Sequence, residues 1–251
     1  MIKLYVSLLL LILTLSSNNY GDSFIQLPFE IDWRISYPNC FEKIDFQEKC
    51  NYGFAFALAD LLSTRLCIKN QGKSYEKLSA LELISCDDTG KNTNCQIGNL
   101  ENALNYISKF GLHKDTCIVN NSIDGVLNRE CGILENITCD NVTKIKENSI
   151  KMIDFEGMIM QELTFNGPVI ASFQPSEDFI DYKGGFYSNK YGNIMNLQTV
   201  LIVGFKREAR SGYWILKNSF GENWGEKGYF KVKFGELIIE KNALTFEPLI
   251  K

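Results

Sequence analysis

Residues 47–67 read QEKCNYGFAFALADLLSTRLC, and this stretch predicts a buried helix that organises the fold. Apolar residues recur at helical spacing from Phe54, with Cys50 just before the run and Cys67 at its far end. The N-terminus of a helix suits an anionic nucleophile, because unpaired N–H groups and the helix dipole stabilise negative charge there. Gly53 occupies that place and has no side chain.

The composition is that of an ordinary globular protein. The 251 residues are 45% hydrophobic and 22% charged, which allows a sizeable core in one domain, or in one domain with two lobes. The net charge is −4 and no Lys/Arg cluster is present, so we expect no nucleic acid partner.

The first residues have the pattern of a secretory signal peptide. Lys3 precedes an apolar run from Leu4 to Leu15, which is shorter than the roughly 20 residues that a spanning helix needs. We predict a signal peptide over 1–21 and a mature domain over 22–251, with no stable membrane insertion after cleavage. An uncleaved anchor is the alternative. The protein is then secreted, or lies in the lumen of a lysosome, vacuole or granule.

Eight cysteines follow this segment. An even number on the secretory route predicts disulfides, although the number alone does not give their connectivity. Zinc binding is the alternative, but the chain has no C-x-x-C pair and only one histidine, His113. We therefore expect no metal and no other cofactor.

Residues 112–148 are polar, Asn-rich and hold three cysteines, which predicts a disulfide-braced loop region with little regular structure. Sequons at Asn120, Asn136 and Asn141 predict that this loop is exposed and glycosylated.

The periodicity changes from helical to strand-like along the chain. After the opening helix we predict a short helix with a Ser79–Glu82 capping box, and a longer helix from Leu100, capped by Asn99 and stopped by Gly111. The second half predicts a short helix at 158–163 and strands at 169–173, 200–205, 213–217, 229–234 and 243–246. The pattern indicates an α+β fold with a cleft between a helical lobe and an antiparallel sheet.

From Leu27 to Pro248 the chain resembles the papain-like cysteine peptidases, and most of all their cathepsin B-like branch. The matching blocks stand in family order: Ile31-Asp32-Trp33-Arg34, Pro38-Asn39-Cys40, Arg65-Leu66-Cys67-Ile68, Asn166-Gly167-Pro168-Val169 and Trp214 to Gly225, WILKNSFGENWG. The resemblance implies a two-lobed fold with a helical lobe at roughly 34–145 and a β lobe, sheet or barrel, at roughly 146–251. It also implies an N-terminal segment that crosses onto the β lobe.

The catalytic motif departs from the family. The family pattern Q-G-S-C-G-S-C-W-A-F has its nucleophile at the second Cys, where this chain has Gly53. The family's basic His precedes a V-x-x-V-G strand, where this chain has Gln198. The resemblance identifies Gln47 as the retained oxyanion-hole donor and Asn218 as the retained group that orients the base. Nucleophile and base are therefore both replaced.

No other residue is expected to take over. Cys50 aligns with a structural half-cystine, and His113 aligns with no catalytic position. With the base gone, Asn218 is expected to serve packing, and Gln198 is expected to pair with it so that both amides are satisfied.

Further departures agree with inactivity. Only a short segment separates the predicted signal peptide from Trp33, so we expect no propeptide. The segment between Cys117 and Cys131 lacks the His-His pair of the cathepsin B-like occluding loop. By resemblance the disulfides are Cys40–Cys67, Cys50–Cys95, Cys86–Cys131 and Cys117–Cys139.

Parts of the family cleft remain recognisable. Gly98 matches a glycine that pairs with substrate backbone, but it serves equally well as a turn glycine before the helix, and both interpretations stay open. Asn242 stands where the cathepsin B branch has a selecting Glu, which leaves a preference for basic side chains in doubt. Trp224 is retained, and Phe220 replaces the Trp that shields the Asn.

The sequence thus predicts a monomeric pseudoprotease that binds a peptide or protein in or near its cleft. The first alternative is a residual or unusual hydrolase. The second is a structural or cargo component of secretory granules, in which the cleft is vestigial.

Overall fold

A computed structural model describes residues 26–41, 43–47, 51–86, 98–118, 122–123, 126–127, 131–132, 139–209 and 211–250. Its helices are α1 (Trp33–Ser36), α2 (Gly53–Lys69), α3 (Ala80–Ser85), α4 (Leu100–Lys109) and α5 (Glu156–Phe165). Its strands are β1 (Glu30–Asp32), β2 (Ser122–Ile123), β3 (Val126–Leu127), β4 (Lys151–Ile153), β5 (Val169–Phe173), β6 (Gln198–Arg207), β7 (Gly212–Lys217), β8 (Tyr229–Lys233) and β9 (Ala243–Thr245). Within these ranges no helix is long and apolar enough to cross a membrane.

Seven of the described strands form the predicted antiparallel sheet, and β2 and β3 pair separately with each other. Its order is β4-β9-β5-β6-β7-β8, and the N-terminal β1 pairs with β6 outside this path. The central strand β6 begins two residues earlier than predicted, at Gln198, which pairs with Phe173 of β5. Gln198 and Thr199 are polar but buried, so the apolar pattern underestimated the strand.

Helix α2 is buried on almost all sides rather than along one stripe. Thirteen of its 17 residues are buried. One apolar cluster lies between α2 and one face of the sheet, and a second lies between the opposite face and α5. A helix with apolar residues around most of its circumference belongs in such an interior position.

The predicted helix caps are confirmed in part. Asn99 Oδ1 accepts the N–H of Asn102 at 3.0 Å, as expected for the start of α4. At α3, Ser79 Oγ accepts the N–H of Glu82 at 3.3 Å, but the reciprocal half of the capping box is wrong. The Glu82 carboxylate accepts the N–H of His113 at 2.8 Å, and the N–H of Ser79 donates to the carbonyl of His113.

Disulfides tie the helical half together. The structure contains three of the predicted bridges: Cys40–Cys67, Cys86–Cys131 and Cys117–Cys139. The fourth predicted bridge, Cys50–Cys95, lies outside the described residues. A bridge of this kind contributes about 2 to 4 kcal/mol.

A fully buried arginine anchors the far end of α2. Arg65 donates to Glu162 Oε1 at 2.7 Å, to Glu247 Oε1 at 2.6 Å and to the carbonyl of Pro168 at 2.9 Å. Burial raises the pKa of Glu162, but Arg65 outweighs this effect and holds that pKa below its usual range. The pair therefore stabilises the fold above the ordinary Glu pKa, and this contribution is lost as the pH falls through the lowered pKa.

Replacing Arg65 tests this anchor. We expect Arg65→Met to lower the free energy of unfolding by about 3 to 5 kcal/mol at pH 7, because it leaves two carboxylates without their buried partner. The matched control is Lys206→Met, which removes an exposed pair with Glu30 and should cost less than about 1 kcal/mol. Urea unfolding measures both values, and equal costs would contradict the anchoring role.

Candidate functional site

The start of α2 meets the ends of two strands. Gly53 is the first residue of α2, Gln198 is the first residue of β6, and Asn218 directly follows β7. Gln47 reaches the same place because its backbone N–H donates to the carbonyl of Ser219 at 2.8 Å. The four positions that the sequence resemblance assigned to the catalytic site are thus brought together.

Three amides and one hydroxyl, which we call the amide cluster, form a hydrogen-bonded network here. Gln198 Nε2 donates to Gln47 Oε1 at 3.0 Å and to Asn218 Oδ1 at 2.8 Å. Ser219 Oγ donates to Gln47 Oε1 at 2.5 Å. All four side chains are buried and none of them ionises in the physiological pH range. The cluster is therefore a neutral link across the cleft floor.

Gly53 lies directly against the amide cluster. A Cβ at this position would be 3.1 Å from Gln198 Nε2, 3.2 Å from Gln47 Oε1 and 3.2 Å from the carbonyl oxygen of Thr199. The Gln198 amide thus borders the place from which a nucleophilic side chain would project. The two positions fit each other, because the absence of a side chain at Gly53 leaves room for the amide of Gln198.

The predicted pairing of Gln198 with Asn218 is present, but the expectation that both amides are satisfied is wrong. Asn218 Nδ2 is the one buried side-chain donor or acceptor without a partner among the described residues. The residue Asn218 borders a cavity of about 10 Å³ that is also lined by Asp45, Asp60 and Lys217.

A buried ion pair lies beneath the cluster. Lys217 Nζ is 2.9 Å from Asp60 Oδ1 and 2.8 Å from Asp60 Oδ2, which joins α2 to the end of β7. Burial raises the pKa of Asp60, and attraction to Lys217 offsets only part of that effect. The pair holds the helix against the strand that carries Asn218.

Above the cluster opens a cleft of about 370 Å³. Among the described residues, none of the lining side chains is ionisable: Phe46, Gln47, Asn51, Pro175, Ile180, Met195, Asn196, Gln198, Phe220 and Trp224. Phe46 and Ile180 are 64% and 53% exposed, so the apolar wall is open to solvent. A neutral, apolar groove with amides at one end is suited to an uncharged ligand.

Of the other predicted cleft residues, one lines the cleft and two do not. Trp224 lines the cleft, and its indole N–H is fixed by the carbonyl of Phe179 at 2.9 Å. Gly98 packs against Phe54, whose ring atoms would be 2.1 Å from a Cβ at position 98, so packing alone accounts for this glycine. Asn242 is exposed, and its carbonyl accepts the N–H of Ser172. Gly98 and Asn242 do not line this cavity.

Sequence reasoning missed several residues of the site. Ser219 stands next to Asn218 in the WILKNSFGENWG block, and Phe46 immediately precedes Gln47, so adjacency was the available signal. Ile180 and Met195 carried no signal, because they come from loops that only the fold brings to the cleft.

Of the predicted glycosylation sites, Asn141 is described and exposed, which leaves it accessible to modification. Asn120 and Asn136 lie outside the described residues.

A side chain at position 53 tests the fit between Gly53 and the cluster. We expect Gly53→Ala to lower the free energy of unfolding by about 1 to 2 kcal/mol, because one of the close neighbours is strand backbone and another is a doubly hydrogen-bonded amide. The control is Gly157→Ala in the first turn of α5, where the new Cβ meets only the exposed ring of Phe155. That change should be neutral or stabilise by up to about 1 kcal/mol. Thermal unfolding compares them, and a stabilised Gly53→Ala would contradict the fit.

Comparison with known proteins identifies the family of this chain. A model of the papain family of cysteine proteases matches residues 27–245. A cathepsin B-like cysteine proteinase of Schistosoma japonicum is 28% identical over 265 residues, which cover 90% of this chain and 75% of that protein. Cathepsin B of Dictyostelium discoideum is 27% identical over 250 residues, which cover 93% and 79%. The solved structure of procathepsin B S9 from Trypanosoma congolense matches with a TM-score of 0.74 at 25% identity, covering 92% of this chain and 81% of that one. This chain therefore belongs to the papain family of cysteine proteases and is similar to its cathepsin B-like members.

Proposed function

We propose that this protein is a pseudoprotease of the secretory route, which binds a peptide or protein segment in its cleft and does not cleave it. The observation that carries the proposal is the position of Gly53 against the Gln198 amide, where a reactive pair would be needed. The similar proteins are named as cysteine proteinases or cathepsins, so similarity alone favours a peptidase. These two residues argue against that activity.

The chemistry of thiol peptidases explains why. Their reaction needs a thiolate, an imidazole that activates it and a group that orients the imidazole. Gly53 has no nucleophilic atom, and the amide of Gln198 does not take up a proton near neutral pH. In subtilisin, loss of the nucleophile alone lowers kcat about a millionfold. Loss of both groups leaves only background hydrolysis.

No described residue replaces the missing groups. The His113 ring lies against Glu82, with Nδ1 3.0 Å from Oε1, and it does not line the cleft. Cys50 lies outside the described residues and is assigned by resemblance to a bridge with Cys95. The alternative, a residual hydrolase, predicts that an epoxide probe specific for reactive thiolates labels the purified protein.

The cleft retains the properties of a binding site. Its volume of about 370 Å³ is within the range of small-molecule pockets, roughly 300 to 1,000 Å³. An extended peptide can place one apolar side chain against Phe46, Ile180 and Phe220. The other alternative, a structural or cargo protein with a vestigial cleft, predicts that changes in this wall do not affect binding.

Secretion and glycosylation belong to the same proposal. The apolar N-terminal segment, the disulfides and the exposed sequon at Asn141 support a protein made on the secretory route. We expect it to act as a monomer, secreted or in a lysosomal, vacuolar or granule lumen.

Binding is tested with the blocked pentapeptide acetyl-Ala-Ala-Phe-Ala-Ala-amide and ¹⁵N-labelled protein. We expect the peptide to shift the indole N–H resonance of Trp224 and to remain uncleaved by mass spectrometry after a day. Ile180→Asp should weaken binding at least about tenfold, because it places a charge in the apolar wall.

The matched control is Ile238→Asp, at a position that is also exposed (64%, against 53% for Ile180) and does not line the cleft. It should bind like the original protein. Peptide binding that is insensitive to Ile180→Asp would remove support for the cleft as the binding site, and cleavage would favour the hydrolase.

A further inference from the structure

We infer that Gln198 turns its amide oxygen into the cleft, so that the cleft selects a neutral ligand that donates an N–H hydrogen bond beside an apolar group. This inference deepens the proposed function and rests on it. It names the chemical class of the ligand: an uncharged peptide segment whose backbone N–H meets Gln198 Oε1.

The hydrogen bonds of the amide cluster show which end of Gln198 is available. Both N–H groups of Nε2 are used, one by Gln47 Oε1 and one by Asn218 Oδ1. Gln198 Oε1 accepts no hydrogen bond from the described residues. It is not a buried, unpartnered atom either, because Asn218 Nδ2 alone fits that description in this part of the chain. Oε1 is therefore accessible, and Gln198 lines the cleft.

The contacts of Asn218 agree with this orientation. Asn218 Oδ1 accepts the N–H of Gln198 Nε2 at 2.8 Å, whereas Asn218 Nδ2 has no partner among the described residues. The small cavity that Asn218 lines with Asp45, Asp60 and Lys217 holds paired charges, because Asp45 is bound to Lys77 and Asp60 is bound to Lys217. Gln198 therefore presents Nε2 to Asn218, which leaves Oε1 facing the cleft.

This polarity differs from that of a hydrolytic centre. An enzyme that attacks a carbonyl needs donors directed at the developing oxyanion. At Gln198 an incoming carbonyl oxygen would instead meet another oxygen. A ligand N–H would donate a hydrogen bond to Gln198 Oε1.

The described part of the cleft wall is uncharged. None of the described lining residues carries an ionisable group, so a charged ligand would lose its hydration without gaining a partner among them. The apolar wall of Phe46, Ile180 and Phe220 favours an aliphatic or aromatic group next to the donor, because such a group buries apolar surface there.

Ester analogues of a peptide test the inference on the unmodified protein. The parent is acetyl-Ala-Ala-Phe-Ala-Ala-amide, and in each analogue one backbone N–H is replaced by an ester oxygen, which removes one donor with little change in shape. We expect one analogue to bind about 3- to 10-fold more weakly than the parent, as for loss of one hydrogen bond, and the others to bind within about twofold. Titration calorimetry or Trp224 resonance shifts give the affinities.

Variants then locate the acceptor. In Gln198→Leu the sensitive analogue and the parent should bind equally, since the acceptor is gone. In the matched control Gln161→Leu, on the exposed side of α5, the 3- to 10-fold difference should persist. If Gln198→Leu does not fold, Gln198→Met makes the same comparison with an unbranched side chain that also lacks the amide oxygen.

The outcomes separate the two proposals. If the parent peptide binds and every ester analogue binds with the same affinity as the parent, the N–H inference is overturned and the proposal of peptide binding stands. The N–H inference is also overturned if the sensitive analogue still binds more weakly than the parent peptide to Gln198→Leu. No binding of the parent peptide overturns both.

Discussion

The burial of α2 is the constraint on which the rest of the structure depends. A helix with so little exposed surface must pair its charged groups internally. Asp60 is bound to Lys217 of β7, and Arg65 is bound to Glu162 of α5 and to Glu247. These two sets of ion pairs, about one and a half turns apart, fix the rotation and the axial position of α2 against the sheet. The location of Gly53 follows, because the first residue of such a fixed helix must lie against the first residue of β6.

That geometry makes the character of the cleft depend on a few side chains. A thiolate and an imidazole at this junction would form a charged centre that responds to pH and oxidation. The amide cluster contains neither group, and its hydrogen bonds do not depend on the protonation of any of its members. Under the proposed function, the cleft offers a ligand recognition through neutral hydrogen bonds and apolar contacts instead of chemical attack.

Local signals account for what the sequence could predict. Apolar spacing and caps identified α2 and α4, and β-branched runs between turns identified β5 to β9. The start of β6 was misjudged because Gln198 and Thr199 are polar, and their burial depends on partners such as Gln47, 151 residues away in the chain. The capping box at α3 failed in part because His113, 31 residues further on, supplies a donor to Glu82. Family resemblance located the catalytic positions, but the unpaired Nδ2 of Asn218 and the apolar wall arise only from tertiary contacts.

The peptidase activity of the double variant Gly53→Cys with Gln198→His tests whether the protein is a pseudoprotease whose cleft still holds peptides. Both changes are needed, because a side chain at 53 meets the Gln198 amide and a thiol without imidazole is a weak nucleophile at neutral pH. By the family resemblance, Asn218 would orient the new base and Gln47 would stabilise the oxyanion. We expect the double variant to cleave uncharged peptides such as acetyl-Ala-Ala-Phe-Ala-Ala-amide, and the unmodified protein and each single variant to leave them intact. A double variant that is folded and inert would contradict a cleft that still holds peptides, and cleavage by the unmodified protein would contradict its description as a pseudoprotease.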